Sequence, residues 1–356
     1  MPLPRKQHLG LLTVLIAVAG LCACSPEPAY RSIQGATMGT YYRIQYKSTD
    51  QCSSSQGRID TLLAAFNQSL STYEEGSEIS IFNNRLDLDF RPVSGRFGGV
   101  LEAATTVWEQ SSGAFDVTVG PLVNLWGFGP VDTAAFPSNA DQTAAFAAVG
   151  MQNLQIQREP LSETTGGTVS ESFRVRKNIP TLYLDFSALA KGLGVDEVAE
   201  SLQKQGCNDF MVDIGGEVRT KGQSPKSRPW RIGIEAPDST RRGIVQRVLQ
   251  LTDKSVATSG DYRNFRTVDG VRVDHVIDPR SGKPANNSVV SVTVVHEQAM
   301  WADAYATALM VLGADAGTQM AEKLGLAVLV ITKTSDDRFV ERYTPAMLPF
   351  FVEFPE

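Results

Sequence analysis

Between residues 210 and 295 the chain gives one strand signal after another, with no helical signal between them. Apolar or alternating runs at residues 210–214, 230–235, 243–251 and 288–295 are separated by polar, glycine-bearing stretches. Parallel strands need a crossover of a dozen or more residues, usually a helix, to join them. Strands that follow one another directly exclude a doubly wound architecture. They predict an α+β fold, with mixed or antiparallel sheets and flanking helices.

Other signals fill in the frame. A strand is predicted at residues 40–46, where aromatic side chains alternate, and further strands at 181–186 and 326–331. Ile59, Leu62, Leu63, Phe66, Leu70 and Tyr73 fall at helical spacing, as do Val100, Leu101, Ala104, Val107 and Trp108 ahead of Gly113. Two more helices are expected at 195–205, closed by Gly206, and at 300–312. Residues 132–178 are polar and weakly periodic, and read as a less regular insertion with one short helix at 141–149. The aromatic pair Phe350-Phe351 is expected to dock on the body. The 356 residues suit one elaborate domain or two subdomains, and 42% hydrophobic residues suffice for a sizeable core.

Composition narrows the chemistry. A net charge of −6 without any basic run argues against a protein that binds nucleic acid by neutralising phosphates. There are three histidines, His8, His275 and His296, so a zinc site built from several imidazoles is not available. A metal would be held mostly by oxygen, which favours magnesium or calcium.

Arg5 and Lys6 precede an apolar stretch at residues 9–23, too short for a bilayer span of roughly 20 residues. This layout matches a secretory signal; a short anchor helix that stays attached is the alternative. Leu21-Cys22-Ala23-Cys24 resembles a bacterial lipobox, and Cys24 suits cleavage and lipidation better than Cys22 because small Ala23 precedes it. Residues 1–23 are thus read as a signal peptide, 24–33 as a lipidated tether and 34–356 as the working domain, on the periplasmic face of a bacterial membrane. Cys52 and Cys207 either pair in an oxidising compartment or are two unrelated thiols.

The familiar catalytic signatures are missing: no Walker A loop, no GxSxG and no HExxH. His296-Glu297 fails as a zincin because position 300 is Met, and Gly192-Leu193-Gly194 lacks the third glycine of a dinucleotide fingerprint. Four constellations remain. Asp303 and Thr307 stand one turn apart on an apolar helix, where a buried acid must be paired or bind a cation. His275 ends a strand and leads into Val276-Ile277-Asp278-Pro279, placing an imidazole suited to general-base work on an emerging loop. Asp185-Phe186-Ser187-Ala188 runs into Lys191-Gly192, a strand-to-helix turn able to hold phosphate oxygens. Asp213-Ile214-Gly215-Gly216-Glu217 lets a ligand or another backbone come close. Each has a plain alternative: a solvent-facing acid, a structural histidine, a solvated lysine, a simple tight turn.

Taken in order, these pieces resemble the ApbE family of FAD:protein FMN transferases. The matching segments are GATMGT at 35–40, LSTY at 70–73, SEISIFN at 77–83, GAFDVTVGPL at 113–122, residues 185–196, residues 213–217, ATSGDY at 257–262, residues 275–279 and residues 303–307. The resemblance implies an enzyme that cleaves FAD, transfers its FMN moiety to a Thr or Ser of a target flavoprotein and releases AMP, often as a periplasmic lipoprotein. It implies that Met38 and Tyr73 border the flavin, and that Ala114, Phe115, Asp116, Asp185, Lys191 and Ile277 line the nucleotide. It further implies that Asp303, Thr307 and the Ala188 carbonyl hold Mg²⁺. Ala306 stands where some relatives carry a further carboxylate, and Leu193 where they usually carry an aromatic residue. His275 is read as the base, with Asp278 either sharing that task or orienting it. A Mg²⁺-dependent FAD pyrophosphatase and a non-catalytic FAD-binding lipoprotein are the competing readings.

Overall fold

The computed structural model describes residues 29–130, 136–163, 169–238, 243–261, 265–268 and 271–352. The leader and Cys24 lie outside the described residues. Among those residues no helix is long and apolar enough to cross a membrane.

The chain opens with β1 (Tyr30–Thr37), β2 (Thr40–Lys47), α1 (Gln56–Leu70), α2 (Glu78–Asn83), β3 (Arg91–Val93), α3 (Gly95–Gln110) and α4 (Gly120–Leu125). It continues through α5 (Asn139–Ala147), β4 (Leu154–Glu163), β5 (Val169–Lys177), α6 (Ser187–Lys204), β6 (Phe210–Ile214), β7 (Glu217–Lys221), β8 (Trp230–Glu235) and β9 (Val245–Leu251). Then come β10 (Ser255–Gly260), β11 (Phe265–Val268), β12 (Val271–Asp274), β13 (Ile277–Asp278), β14 (Lys283–Pro284) and β15 (Val289–His296). The last elements are α7 (Ala299–Leu312), α8 (Ala314–Lys323), β16 (Ala327–Lys333) and β17 (Phe339–Tyr343).

Eight strands form one sheet in the order β1-β2-β6-β7-β10-β15-β16-β17. Every neighbouring pair in it is antiparallel. Side chains alternate across its two faces, so each strand feeds two cores. Val328 and Val330 of β16 join the helix-side core with α7 and α8, whereas Leu329 and Ile331 face the opposite core under the β8–β9 ribbon. Phe350 and Phe351 close that second core, and Phe351 bridges Leu249, so the aromatic tail docks as expected. A third core joins β1, β2 and β6 to α1 and α6. The fold is α+β: an antiparallel sheet with flanking helices.

Local chemistry explains most starts and turns. Ser55, Ser77, Ser94 and Ser138 each accept a hydrogen bond from the backbone three residues on, capping α1, α2, α3 and α5. The β1–β2 turn takes only two residues, Met38 and Gly39, both at positive φ (49° and 69°), as a tight hairpin requires. Cys52 and Cys207 form a disulfide that ties the β2–α1 connection to the α6–β6 connection.

Three expectations are corrected. Residues 182–186 bury Leu182, Leu184 and Phe186 but form no strand, and Phe186 sits at φ −97°, ψ 7°. Instead the Asn83 side chain brackets Leu184, donating to its carbonyl and accepting from its N–H, both at 2.8 Å. The stretch at 132–178 holds α5 (Asn139–Ala147) and the antiparallel β4–β5 pair, which β3 completes into a three-stranded sheet. Its polar outer face hid the alternation. Finally, α6 begins at Ser187 rather than 195; Gly192 and Gly194 in its opening turns disfavour a helix on propensity and hide the start.

Candidate functional site

Helices α6 and α7 have no side-chain hydrogen bond from their own N-cap residue, and both build the site. They cross at Gly192, where a Cβ would come within 2.3 Å of the Ala299 carbonyl oxygen. Only a residue without a side chain allows this approach. One turn on, Asp196 caps α7 from the side: its two carboxylate oxygens accept from the Ala299 and Met300 N–H groups at 2.9 Å each. The Arg219 guanidinium donates to the same carboxylate at 2.7 Å. The crossing brings Asp303 over α6, and its Oδ2 accepts from the Gly192 N–H at 3.0 Å.

Lys191, adjacent to that glycine, places its ammonium 3.7 Å from Asp303 Oδ1 and 2.9 Å from Glu217 Oε1. Glu217 arrives from the β6–β7 hairpin, whose turn residues Gly215 and Gly216 sit at φ 61° and 105°. Asp303 and Glu217 are each 3% exposed. Burial pushes the Asp303 carboxyl up, with Lys191 pulling it back. Burial pushes Glu217 up to about 7 against the same ammonium. Burial alone would lower Lys191; Asp303 and Glu217 overcome it and hold the ammonium charged. Two buried acids thus share one half-buried cation, and Glu217 Oε2 has no hydrogen-bond partner. That surplus of negative charge suits a further cation.

Thr307 follows Asp303 by one turn, with Oγ1 3.2 Å from Ser259 Oγ on β10. Among the described residues no group of three His, Cys, Asp or Glu side chains gathers as a metal cage. One acid, a hydroxyl and backbone carbonyls leave most positions to ligand oxygens and water, the habit of a hard ion such as magnesium.

The structure places ten of the sequence-predicted residues on one cavity of about 780 Å³. Ala188, Lys191, Asp303 and Thr307 form its floor, Ala114, Phe115, Asp116 and Asp185 one wall, and His275 and Ile277 another. Asp116 has both oxygens engaged: Oδ1 accepts from the Thr118 N–H and hydroxyl at 2.7 and 2.6 Å, and Oδ2 from Met151 N–H at 3.2 Å. It orders the wall. Asp185 Oδ1 accepts from the Ser187 N–H at 2.8 Å, at the mouth of α6. His275 is half-buried, edge-on to Phe128 at 6.2 Å.

Three expected residues sit elsewhere. Met38 does not line the cavity; its Cε lies against Gly194 of α6, where it fills the joint between two cores. Tyr73 is 70% exposed and does not line the cavity. It can reach a ligand only at the rim. Asp278 is also off the cavity wall, and Arg280 holds it through Nε and Nη2 at 2.9 and 3.0 Å. Both of its oxygens are engaged by that arginine. Glu217 also lines the cavity; the sequence marks it as the end of the 213–217 turn but assigns it no site role. Its parity on β7 matches Arg219 and Lys221, which reads as a solvent face; the paired glycines before it were the signal that something must approach closely.

A family model described as the ApbE family matches residues 38–330. A Vibrio cholerae protein called FAD:protein FMN transferase is 42% identical, covering 95% of this chain and 98% of its own. A Haemophilus influenzae protein of the same name is 37% identical, covering 96% and 97%. Among solved structures, the flavin transferase ApbE from Vibrio cholerae superposes with a TM-score of 0.80 at 41% identity, covering 91% of this chain and 99% of its own. The apo flavinyl transferase ApbE of Pseudomonas stutzeri gives 0.79 at 34% identity, covering 91% and 97%.

Proposed function

Because the chain belongs to the ApbE family, we propose that it transfers the FMN moiety of FAD to a Thr or Ser hydroxyl of a target flavoprotein and releases AMP. The observation that carries this reading is the convergence of Lys191, Asp303, Thr307 and His275 on one cavity large enough for a dinucleotide.

FAD's diphosphate repels an incoming oxygen nucleophile. Lys191 supplies positive charge at the cavity floor, and the N-terminal turn of α6, where Ser187 and Ala188 line the cavity, favours phosphate oxygens. Asp303, Thr307 and the Ala188 carbonyl would hold Mg²⁺, which when bound withdraws charge from the diphosphate and orients it. An imidazole nitrogen of His275 takes the proton of the acceptor hydroxyl. The acceptor oxygen bonds to the FMN phosphorus while the bond from that phosphorus to the bridging oxygen breaks, and AMP leaves with the electron pair. Phe115 and Ile277 help keep water away.

The amino-terminal pattern supports export and lipidation at Cys24, which would hold the enzyme at the periplasmic face of a membrane. A disulfide between Cys52 and Cys207 fits that oxidising compartment.

Incubation with FAD, Mg²⁺ and a candidate flavoprotein domain tests the reading by in-gel flavin fluorescence. Label on the partner is expected; free FMN with AMP would indicate hydrolysis, and unchanged FAD storage. Asp303→Ala is expected to fold and lose metal-dependent turnover. Wild-type turnover persisting in strong chelator would remove magnesium from the mechanism. His275→Ala is expected to bind FAD and transfer nothing; transfer at the wild-type rate would mean another base.

A further inference from the structure

Oδ2 of Asp303 is taken by the Gly192 N–H, so Oδ1 is the oxygen left to meet a cation. Its near competitor is the Lys191 ammonium, 3.7 Å away. That ammonium is held instead by Glu217, at 2.9 Å. Glu217 is buried, comes from a different element, and keeps Oε2 without a partner. Its one ion pair is therefore the contact through which it acts on the cluster.

We propose that Glu217 is a positioning residue: it draws Lys191 off Asp303 Oδ1 and so keeps that oxygen open to a divalent cation. The inference rests on the metal reading of Asp303. Attraction between an ammonium and a carboxylate is strong out of water, and a lysine stem is flexible enough to follow the nearer charge. Without the Glu217 anion, Asp303 is the charge that remains, and Lys191 closes on it where the metal should sit. Gly192 holds Asp303 from the other side, so the acid cannot turn away.

Mn²⁺ binding to the purified protein, read by electron paramagnetic resonance, tests this in a four-way comparison. The proteins are wild type, Glu217→Gln, Lys191→Gln and the double variant. Glu217→Gln should weaken Mn²⁺ binding by roughly tenfold or more, the usual effect of losing a group that orients a ligand. In the Lys191→Gln background the same change should cost less than about threefold, because the lysine it restrains is gone. An equal loss in both backgrounds would mean that Glu217 acts by its own charge or as a ligand, and would overturn the proposal. Wild-type affinity in Glu217→Gln would overturn it as well. Absence of Mn²⁺ binding in the wild type would instead bring down the metal reading, and the inference with it. A metal-free crystal structure of Glu217→Ala gives an independent check: Lys191 Nζ is expected within hydrogen-bond distance of Asp303, and an unmoved Nζ refutes the idea.

Discussion

Lys177 is buried at 2% exposure, and its ammonium donates to three backbone carbonyls: Asn83 at 2.8 Å, Arg85 at 2.9 Å and Pro180 at 3.5 Å. It thereby pins α2 and the loop after it to the strand that precedes the site. Asn83, so held, brackets Leu184, and the next residue is Asp185 on the cavity wall. Burial pushes the Lys177 pKa down to about 8, Arg85 adds to this and Asp87 opposes it. The folded protein therefore sheds this proton more readily than the unfolded chain does. Between pH 8 and the unfolded lysine value of about 10.5 the unfolded state binds more protons, so this group makes stability rise with pH in that window. Lys177→Met should lower stability by about 2 kcal/mol at pH 7, since it strands buried acceptors. The gap to wild type should then widen above pH 8, because the variant lacks the rise. Urea titrations at pH 7 and pH 9.5 check both parts, and a gap that narrows with pH would contradict the assignment. At this scale Asp303 was readable, because an acid inside an alanine- and leucine-rich helix needs a partner. Asp278 was not, since a turn acid two residues before an arginine pairs locally whatever histidine stands nearby.

Glycines decide which elements can touch. Gly192 and Gly99 both lie inside helices, α6 and α3, yet a Cβ on Gly192 meets the Ala299 carbonyl oxygen at 2.3 Å whereas one on Gly99 meets nothing within 4 Å. Gly99→Ala should stabilise the protein by about 0.5–1 kcal/mol through helix propensity alone. Gly192→Ala carries the same propensity gain but must push α7 away from α6. Asp303 rides on α7 and Lys191 on α6, so the displacement separates the groups that form the cavity floor. We expect Gly192→Ala to lower Tm and to cost at least tenfold in flavin transfer, since a shift near 1 Å can cost about a hundredfold. Thermal unfolding and transfer rates on the two variants decide it; a Gly192→Ala protein as active as Gly99→Ala would remove the close crossing from the argument. The same pair shows what was legible at this scale. Antiparallel strands and amphipathic helices declared themselves by period. The opening of α6 did not, because its glycines serve a neighbouring helix, and the stretch at 182–186 passed for a strand because its apolar alternation is real. What it lacks is a ladder, and a side-chain amide about a hundred residues away in sequence cannot be seen in the pattern.

The whole molecule is closed by a covalent link between distant parts of the chain. Cys52 and Cys207 are 155 residues apart in sequence, and their Cα atoms are 4.7 Å apart. The link lies where β2 already pairs with β6, Tyr46 opposite Phe210, so it adds little to the folded contacts. Its effect falls on the unfolded chain, whose loop-closure entropy it removes, at roughly 5 kcal/mol on the entropic model. The edge strand β1 and its neighbour β2 depend on it most, because β1 has one neighbour in the sheet and the third core beneath it is the smaller of those that α6 joins. Lys191, Asp303 and Thr307 belong to α6 and α7, while β2 reaches the cavity only through Tyr41 and Arg43. The prediction therefore has two halves. Reduction, or the Cys52→Ser/Cys207→Ser double variant, should lower Tm by roughly 10 °C, given a few degrees per kcal/mol for a chain of this size. FAD affinity measured well below the new Tm should stay within about threefold of wild type, because the β2–β6 ladder that the bond spans holds Tyr41 and Arg43 in place without it. Calorimetry with and without reductant, and a flavin-binding titration on the same samples, test the halves separately. A Tm that ignores reductant would mean the thiols are free in the working protein, and with that the support the bond lends to an exported enzyme would be gone. A large loss of FAD affinity would show that the edge and the floor move as one body.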